Sequence, residues 1–116
     1  MKRLSASPLY YEFSRHNAPR LQIEPGETVL VETEDALSGQ IRSATDRRDR
    51  TKVPYSNPLT GPIWVAGAEP GDALAVKIEG IDPLIGQCAT YVARYGALTE
   101  WLGSEPPAHS RVCPIR

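Results

Sequence analysis

A short run of acids, Glu32, Glu34 and Asp35, stands where an apolar stretch ends, with Gln40 five residues beyond Asp35. His16 lies upstream, beside Asn17. Residues two apart on a strand share a face, so the Glu32 and Glu34 carboxylates can converge on one cation. Carboxylate oxygens and an imidazole nitrogen suit a divalent metal, and three protein ligands leave a position open for water. A metal held there acidifies that water and polarises a carbonyl. The competing reading is an exposed acidic strand end that opens a loop, with His16 a surface or packing residue. Spacing alone leaves both readings open.

Other reactive side chains carry simpler readings. Asp46 and Asp49 offer oxygen ligands, but they interleave with Arg42, Arg47, Arg48, Arg50 and Lys52 and read equally well as charge balance in a solvated loop. Asn57 opens a Pro-Gly turn, where its amide bonds nearby backbone. Glu69 and Asp72 flank a turn. Cys88 has no identifiable base beside it and reads as a buried, inert thiol. Cys113 is the second of two cysteines, too few for a disulfide scaffold, and both read as free thiols of a reducing cytoplasm. Trp64 and Trp101 read as core or interface anchors.

The elements that position these residues follow from composition and punctuation. Of 116 residues, 41% are hydrophobic and 23% charged, which is the make-up of a globular domain. The formal net charge of −1 gives no field to draw the chain onto nucleic acid or an anionic membrane. No apolar run approaches the roughly 20 residues of a membrane helix, and the polar N-terminal stretch shows no secretory core. Eleven prolines and nine glycines are spread along the whole chain. Such frequent breaks favour short strands joined by turns over long helices. The expected fold class is mainly β.

Two Glu-Pro-Gly-acid units, Glu24–Glu27 and Glu69–Asp72, read as equivalent tight turns, with proline presetting φ and glycine supplying φ > 0. The first introduces a β-branched strand over Thr28–Thr33. The second introduces Ala73–Glu79, where Leu74, Val76 and Ile78 alternate with small or charged residues in the clearest strand pattern of the chain. A weaker edge strand is expected around Leu9–Phe13, and an apolar run stands at Ile63–Ala66. Gln87–Tyr95 reads as a strand, Gly96–Leu102 as a helical turn and Arg111–Arg116 as a strand that stops as it begins. Residues 36–57 lack a hydrophobic pattern and form a long loop. One domain over 1–116 is expected, and its end reads as cut rather than finished.

Four ordered motifs share their spacing with a known family. They are Pro25-Gly26-Glu27-Thr28-Val29 with Glu32-Thr33-Glu34-Asp35-Ala36, then Ser38-Gly39-Gln40-Ile41, then Asn57-Pro58-Leu59-Thr60-Gly61-Pro62-Ile63, then Gly67 through Leu74. Over about residues 20–82 the chain resembles the acetamidase/formamidase family. That resemblance implies a β-sandwich, jelly-roll-like domain, or one half of a larger β fold, and hydrolysis of a short-chain amide to a carboxylate and ammonia. It further implies a divalent metal, zinc or calcium, on Glu32, Asp35 and His16, and no organic cofactor. Asp35, Gln40 and His16 would be the catalytic set, with Gln40 orienting substrate or water. A small amide would be the substrate, a second copy or a complementary chain the partner, and the cytoplasm the location. Family chains are more than twice this length and carry a later acidic and histidine-containing motif that nothing here matches. His109, the other histidine, sits in a Pro-rich tail. The alternative is a non-catalytic binding or assembly module that keeps the family's sheet. A carbohydrate-binding sandwich would need an aromatic platform from Tyr10, Tyr11, Tyr91 and Tyr95.

Overall fold

The computed structural model describes residues 1–91, 100 and 110–115. Its regular structure is β throughout: β1 (Lys2–Leu4), β2 (Leu21–Ile23), β3 (Val29–Val31), β4 (Ile63–Val65), β5 (Gln87–Tyr91) and β6 (Ser110–Pro114). The mainly β expectation therefore holds. Among the described residues no helix is long and apolar enough to cross a membrane. The chain divides into two compact units, Met1–Ser38 with Tyr55–Ile78, and Gly39–Pro54 with Glu79–Arg116.

The first unit holds two parallel pairs. β1 lies beside β3 with Lys2 opposite Val29 and Leu4 opposite Val31. β2 lies beside β4 with Leu21 opposite Ile63 and Ile23 opposite Val65. In β2, β3 and β4 the outer residues are half-buried and the central one faces solvent, the period-2 pattern of a strand with one covered face. Trp64 is that central residue of β4 and is 53% exposed, so it is not the core anchor its type suggests. Leu4, buried to 3% exposure, anchors this unit. The edge strand expected over Leu9–Phe13 shrinks to a single bridge between Tyr10 and Leu59, and Phe13 stands out in solvent.

Both tight turns form as expected. The Glu27 N–H donates to the Glu24 carbonyl at 3.1 Å with Gly26 at φ +86°, and the Asp72 N–H donates to the Glu69 carbonyl at 3.1 Å with Gly71 at φ +102°. Each is closed a second time by its acid. The Glu24 N–H donates to Glu27 Oε2 (2.7 Å), and the Glu69 N–H donates to Asp72 Oδ2 (2.9 Å). The two turns lead into different structures. Val29–Val31 becomes β3, whereas no strand forms over Ala73–Glu79, and Leu74, Val76 and Ile78 are 71–74% exposed. Alternation prepares one face for burial, and with no neighbouring strand among the described residues that face stays wet.

The second unit is built on the antiparallel pair β5–β6, with Cys88 opposite Cys113 and Tyr91 opposite Ser110. The strand expected over Gln87–Tyr95 is present to Tyr91, and the one expected at Arg111 begins at Ser110. Residues 92–95, Trp101 and His109 lie outside the described residues, as does the Gly96–Leu102 turn apart from Glu100. Ile41 is buried to 5% exposure, and the Ser110 hydroxyl, also buried, donates to the Asp46 carbonyl at 2.7 Å.

Candidate functional site

The acidic end of β3 is organised by ion pairing and turn bonds. Glu32 Oε1 accepts from Arg3 Nε (2.7 Å) and Arg3 Nη2, while Oε2 accepts the Ala6 N–H at 3.3 Å. The Arg3 guanidinium, then the Ala6 amide, hold the Glu32 carboxyl below the ordinary glutamate value. Asp35 Oδ1 accepts the Leu37 N–H at 2.9 Å, the side-chain-to-backbone turn that aspartate favours, and the Asp35 carbonyl accepts the Ser38 N–H at 2.9 Å. Glu34 turns back to accept the Asp35 N–H at 3.0 Å. His16 is exposed, and its backbone N–H donates to Ser14 Oγ.

Among the described residues no three His, Cys, Asp or Glu side chains gather to hold a metal ion. Glu32, Asp35 and His16 are thus not brought together, and both Glu32 oxygens already accept protein hydrogen bonds. In this arrangement the three do not fit a divalent cation, and no step is routed through one.

Gln40 belongs to the second unit and acts there as a backbone clamp. Its Nε2 donates to the Asp49 carbonyl (2.9 Å) and its Oε1 accepts the Asp49 N–H (3.1 Å), so one side chain satisfies a residue as a neighbouring strand would. The acids of this loop serve backbone more than arginine. Asp46 Oδ2 accepts the Arg42 and Ser43 N–H groups, each at 2.7 Å, and these hold its carboxyl below the ordinary value. Asp49 is lowered by the Thr51 hydroxyl and N–H, at 2.6 and 2.9 Å. Residues 36–57 are irregular, as expected, but closely tied.

A pocket of about 530 Å³ opens in the first unit between two stretches, Tyr10 to Asn17 and Leu59 to Pro62. Reciprocal backbone bonds join them: the Tyr10 N–H donates to the Leu59 carbonyl (3.0 Å) and the Leu59 N–H to the Tyr10 carbonyl (2.7 Å). The Arg20 N–H donates to the Pro62 carbonyl, fixing the second wall beside β2, and Thr60 Oγ1 donates to the Glu32 carbonyl at 2.8 Å. Asn17 Nδ2 donates to the Glu12 carbonyl at 3.0 Å and shapes the first wall. Arg15 and Glu12 contribute a cation and a carboxylate to the lining, beside the apolar Phe13, Leu59 and Pro62. Its volume falls within the roughly 300–1,000 Å³ of small-molecule sites.

Sequence reasoning reached one wall through the Asn57–Pro62 motif, and touched the other through His16, Asn17 and the edge strand expected over Leu9–Phe13, without joining the two. Arg20 is the residue most clearly overlooked. Its guanidinium donates to the Pro8 carbonyl (2.8 Å), the Ser7 carbonyl and Ser5 Oγ (3.1 Å), folding the approach to Tyr10 into place. The one signal for it was an arginine directly before the alternating Leu21-Gln22-Ile23, which is weak.

Residues 10–103 match the Acetamidase/Formamidase family. The formamidase of Methylophilus methylotrophus is 48% identical over 61 residues, 48% of this chain and 14% of that protein. The acetamidase of Mycolicibacterium smegmatis is 43% identical over 65 residues, 53% of this chain and 16% of that protein. The solved structure of a predicted acetamidase/formamidase from Thermoanaerobacter tengcongensis superposes with a TM-score of 0.79 at 34% identity, over 99% of this chain and 37% of that one. The matched stretch is a small share of each curated relative and just over a third of the solved one.

Proposed function

The chain belongs to the acetamidase/formamidase family, and on that premise we propose that it contributes a substrate-binding wall to an enzyme that hydrolyses short-chain amides to a carboxylate and ammonia. The observation that carries this reading is the first unit's pocket, because both of its walls fall within the family match. Amide hydrolysis needs a nucleophile, a polariser for the carbonyl and a proton donor for the departing ammonia. Arg15 supplies a cationic donor for the carbonyl oxygen, and Glu12 an acceptor for the amide N–H groups. The Thr60 hydroxyl is committed to the Glu32 carbonyl and keeps the second wall in register with β3.

Size argues that this wall is not the whole site. Formamide has three non-hydrogen atoms, about 90 Å³ at the roughly 30 Å³ a water occupies. A pocket of about 530 Å³ is several times too large for it alone. Further polypeptide narrows it, equivalent to the part of the solved relative that this chain does not span. The same polypeptide covers Leu74, Val76 and Ile78, whose exposure is the one observation favouring a purely assembling, non-catalytic role.

The test is ammonia release from formamide and acetamide. The chain is assayed alone and co-expressed with the unmatched portion of the Thermoanaerobacter tengcongensis protein. Activity is expected in the combination and is expected to fall at least about tenfold in Arg15→Ala, the cost of losing one charged hydrogen bond. A folded combination that releases no ammonia, or an Arg15→Ala combination of full activity, would overturn the enzymatic reading. Binding with no ammonia would leave the assembly role.

A further inference from the structure

The two cysteines, which take no part in the proposed hydrolysis, stand directly across from each other in the β5–β6 pair. The class of that pairing can be derived. Pro114, opposite Gln87, has no N–H and cannot complete a two-bond exchange. One step further out, the Ile115 N–H donates to the Gly86 carbonyl at 2.8 Å. Antiparallel ladders alternate, so Gly86/Ile115, Cys88/Cys113 and Thr90/Arg111 are the hydrogen-bonded pairs, with Cα atoms about 5.5 Å apart. That separation lies at the centre of the roughly 4.4–6.8 Å range that a disulfide spans. Directly opposed residues also share a face, so both Cβ atoms project to the same side of the ribbon, about 5.5 Å apart in a hydrogen-bonded pair, and closure draws them in by about 1 Å to reach the roughly 3.5–4.5 Å of a disulfide. Both thiols are free. Cys88 is exposed, contrary to the buried thiol its surroundings in sequence suggest, and Cys113 is partly covered.

We propose that Cys88 and Cys113 form a redox modification site, a dithiol that closes to an intramolecular disulfide across β5 and β6 in exchange with a low-molecular-weight disulfide. Cys88, the accessible partner, reacts first. Its thiolate, formed by proton loss to solvent, attacks one sulfur of the small disulfide. A bond forms between Cys88 and that half, the reagent's S–S bond breaks, and one small thiolate leaves. The Cys113 thiolate then attacks Cys88 Sγ, making the Cys88–Cys113 bond and releasing the second small thiolate. Two protein thiols are oxidised by two electrons, and one small disulfide is reduced to two thiols. An excess of small thiol runs the same steps backward. Closure ties the ends of residues 89–112 together and locks the β5–β6 register.

Equilibration of the chain in oxidised and reduced glutathione, followed by acid quench and intact mass, tests this. Wild type is expected to lose two hydrogen masses and both titratable thiols as a monomer, reversibly with dithiothreitol. Cys88→Ser and Cys113→Ser cannot close and are expected to stop with one glutathione attached, more slowly at the partly covered Cys113. Any dithiol chain closes to some extent when unfolded, so the equilibrium is also read in guanidinium. The folded chain is expected to favour closure at least about tenfold more, because β5 and β6 hold the thiols at a higher effective concentration than a flexible loop does. Equal constants in the two solvents, two glutathiones on one wild-type chain, or a disulfide-linked dimer as the main product would overturn the proposal. Phenylarsine oxide gives a second reading without oxidation: one equivalent captured by wild type supports the opposed pair, and capture no better than by either serine variant refutes it.

Discussion

Two tight turns of the same chemistry have different fates. Glu24–Glu27 and Glu69–Asp72 each place proline and glycine at the centre, close with a 3.1 Å backbone bond and return an acidic side chain to the first N–H. After the first, Val29–Val31 lies against β1. After the second, Leu74, Val76 and Ile78 alternate as regularly as any strand and pair with none among the described residues. Turn formation is local, completed within four residues by φ preferences and one carboxylate. Strand formation is not, since its ladder and covered face both come from another segment.

The largest test of that contrast compares truncations on the two sides. Leu4→Ala, in the strand that receives β3, is expected to cost about 2–5 kcal/mol in urea unfolding, as a buried leucine does. Val76→Ala is expected to stay within about 0.5 kcal/mol, as at exposed positions generally. Comparable losses would mean that the second segment is packed after all. In the presence of a polypeptide that covers it, Val76→Ala should begin to matter, which would sharpen the contrast.

A smaller effect separates the turns themselves. Gly26 and Gly71 both sit in the left-handed region, so an alanine at either is strained by about 1–2 kcal/mol. Gly26→Ala should carry that cost into global stability, because β3 depends on its turn. Gly71→Ala should shift the global midpoint by less than half as much, since the segment directly after it, Ala73–Glu79, forms no strand. Equal shifts would show that the second turn is as tightly coupled as the first.

The smallest test is pH. Glu27 is held below the ordinary glutamate value by the Lys2 ammonium at 2.7 Å and the Glu24 N–H, and Glu32 by Arg3. A lowered carboxylate stabilises the fold above its unfolded pKa, near 4.3, and that contribution is lost as pH falls through the lower folded value. The urea midpoint should therefore decline modestly below about pH 4. Glu27→Gln should flatten part of that decline, and an unchanged slope would remove Glu27 from the account.

These contrasts also explain what could be read from the chain unaided. Both turns were legible because their signal is short. β3 and β4 were legible as apolar runs, although neither the parallel pairing nor its register was. Ala73–Glu79 was misread as a formed strand because alternation records what a segment is prepared to bury, whether or not its partner is present. Glu32 looked like a ligand because Arg3, which occupies it, is 29 residues away. Tyr10–Asn17 carries no motif of its own and becomes a pocket wall through two backbone bonds to Leu59. Gln40 was expected to orient substrate or water, whereas in the structure its carboxamide serves Asp49.

The interleaving of the two parallel pairs bears on how fast the first unit assembles. Lys2 meets Val29 across 27 positions and Leu21 meets Ile63 across 42, and each pair encloses a strand of the other. Neither can start as a hairpin, so each ladder must close its own long loop before it returns any energy. Folding of this unit belongs on the slow side for its size, in the range of milliseconds to seconds. During that interval its half-made edges stay open to neighbouring chains. Low temperature and dilution should improve the yield of refolded chain more than any stabilising additive.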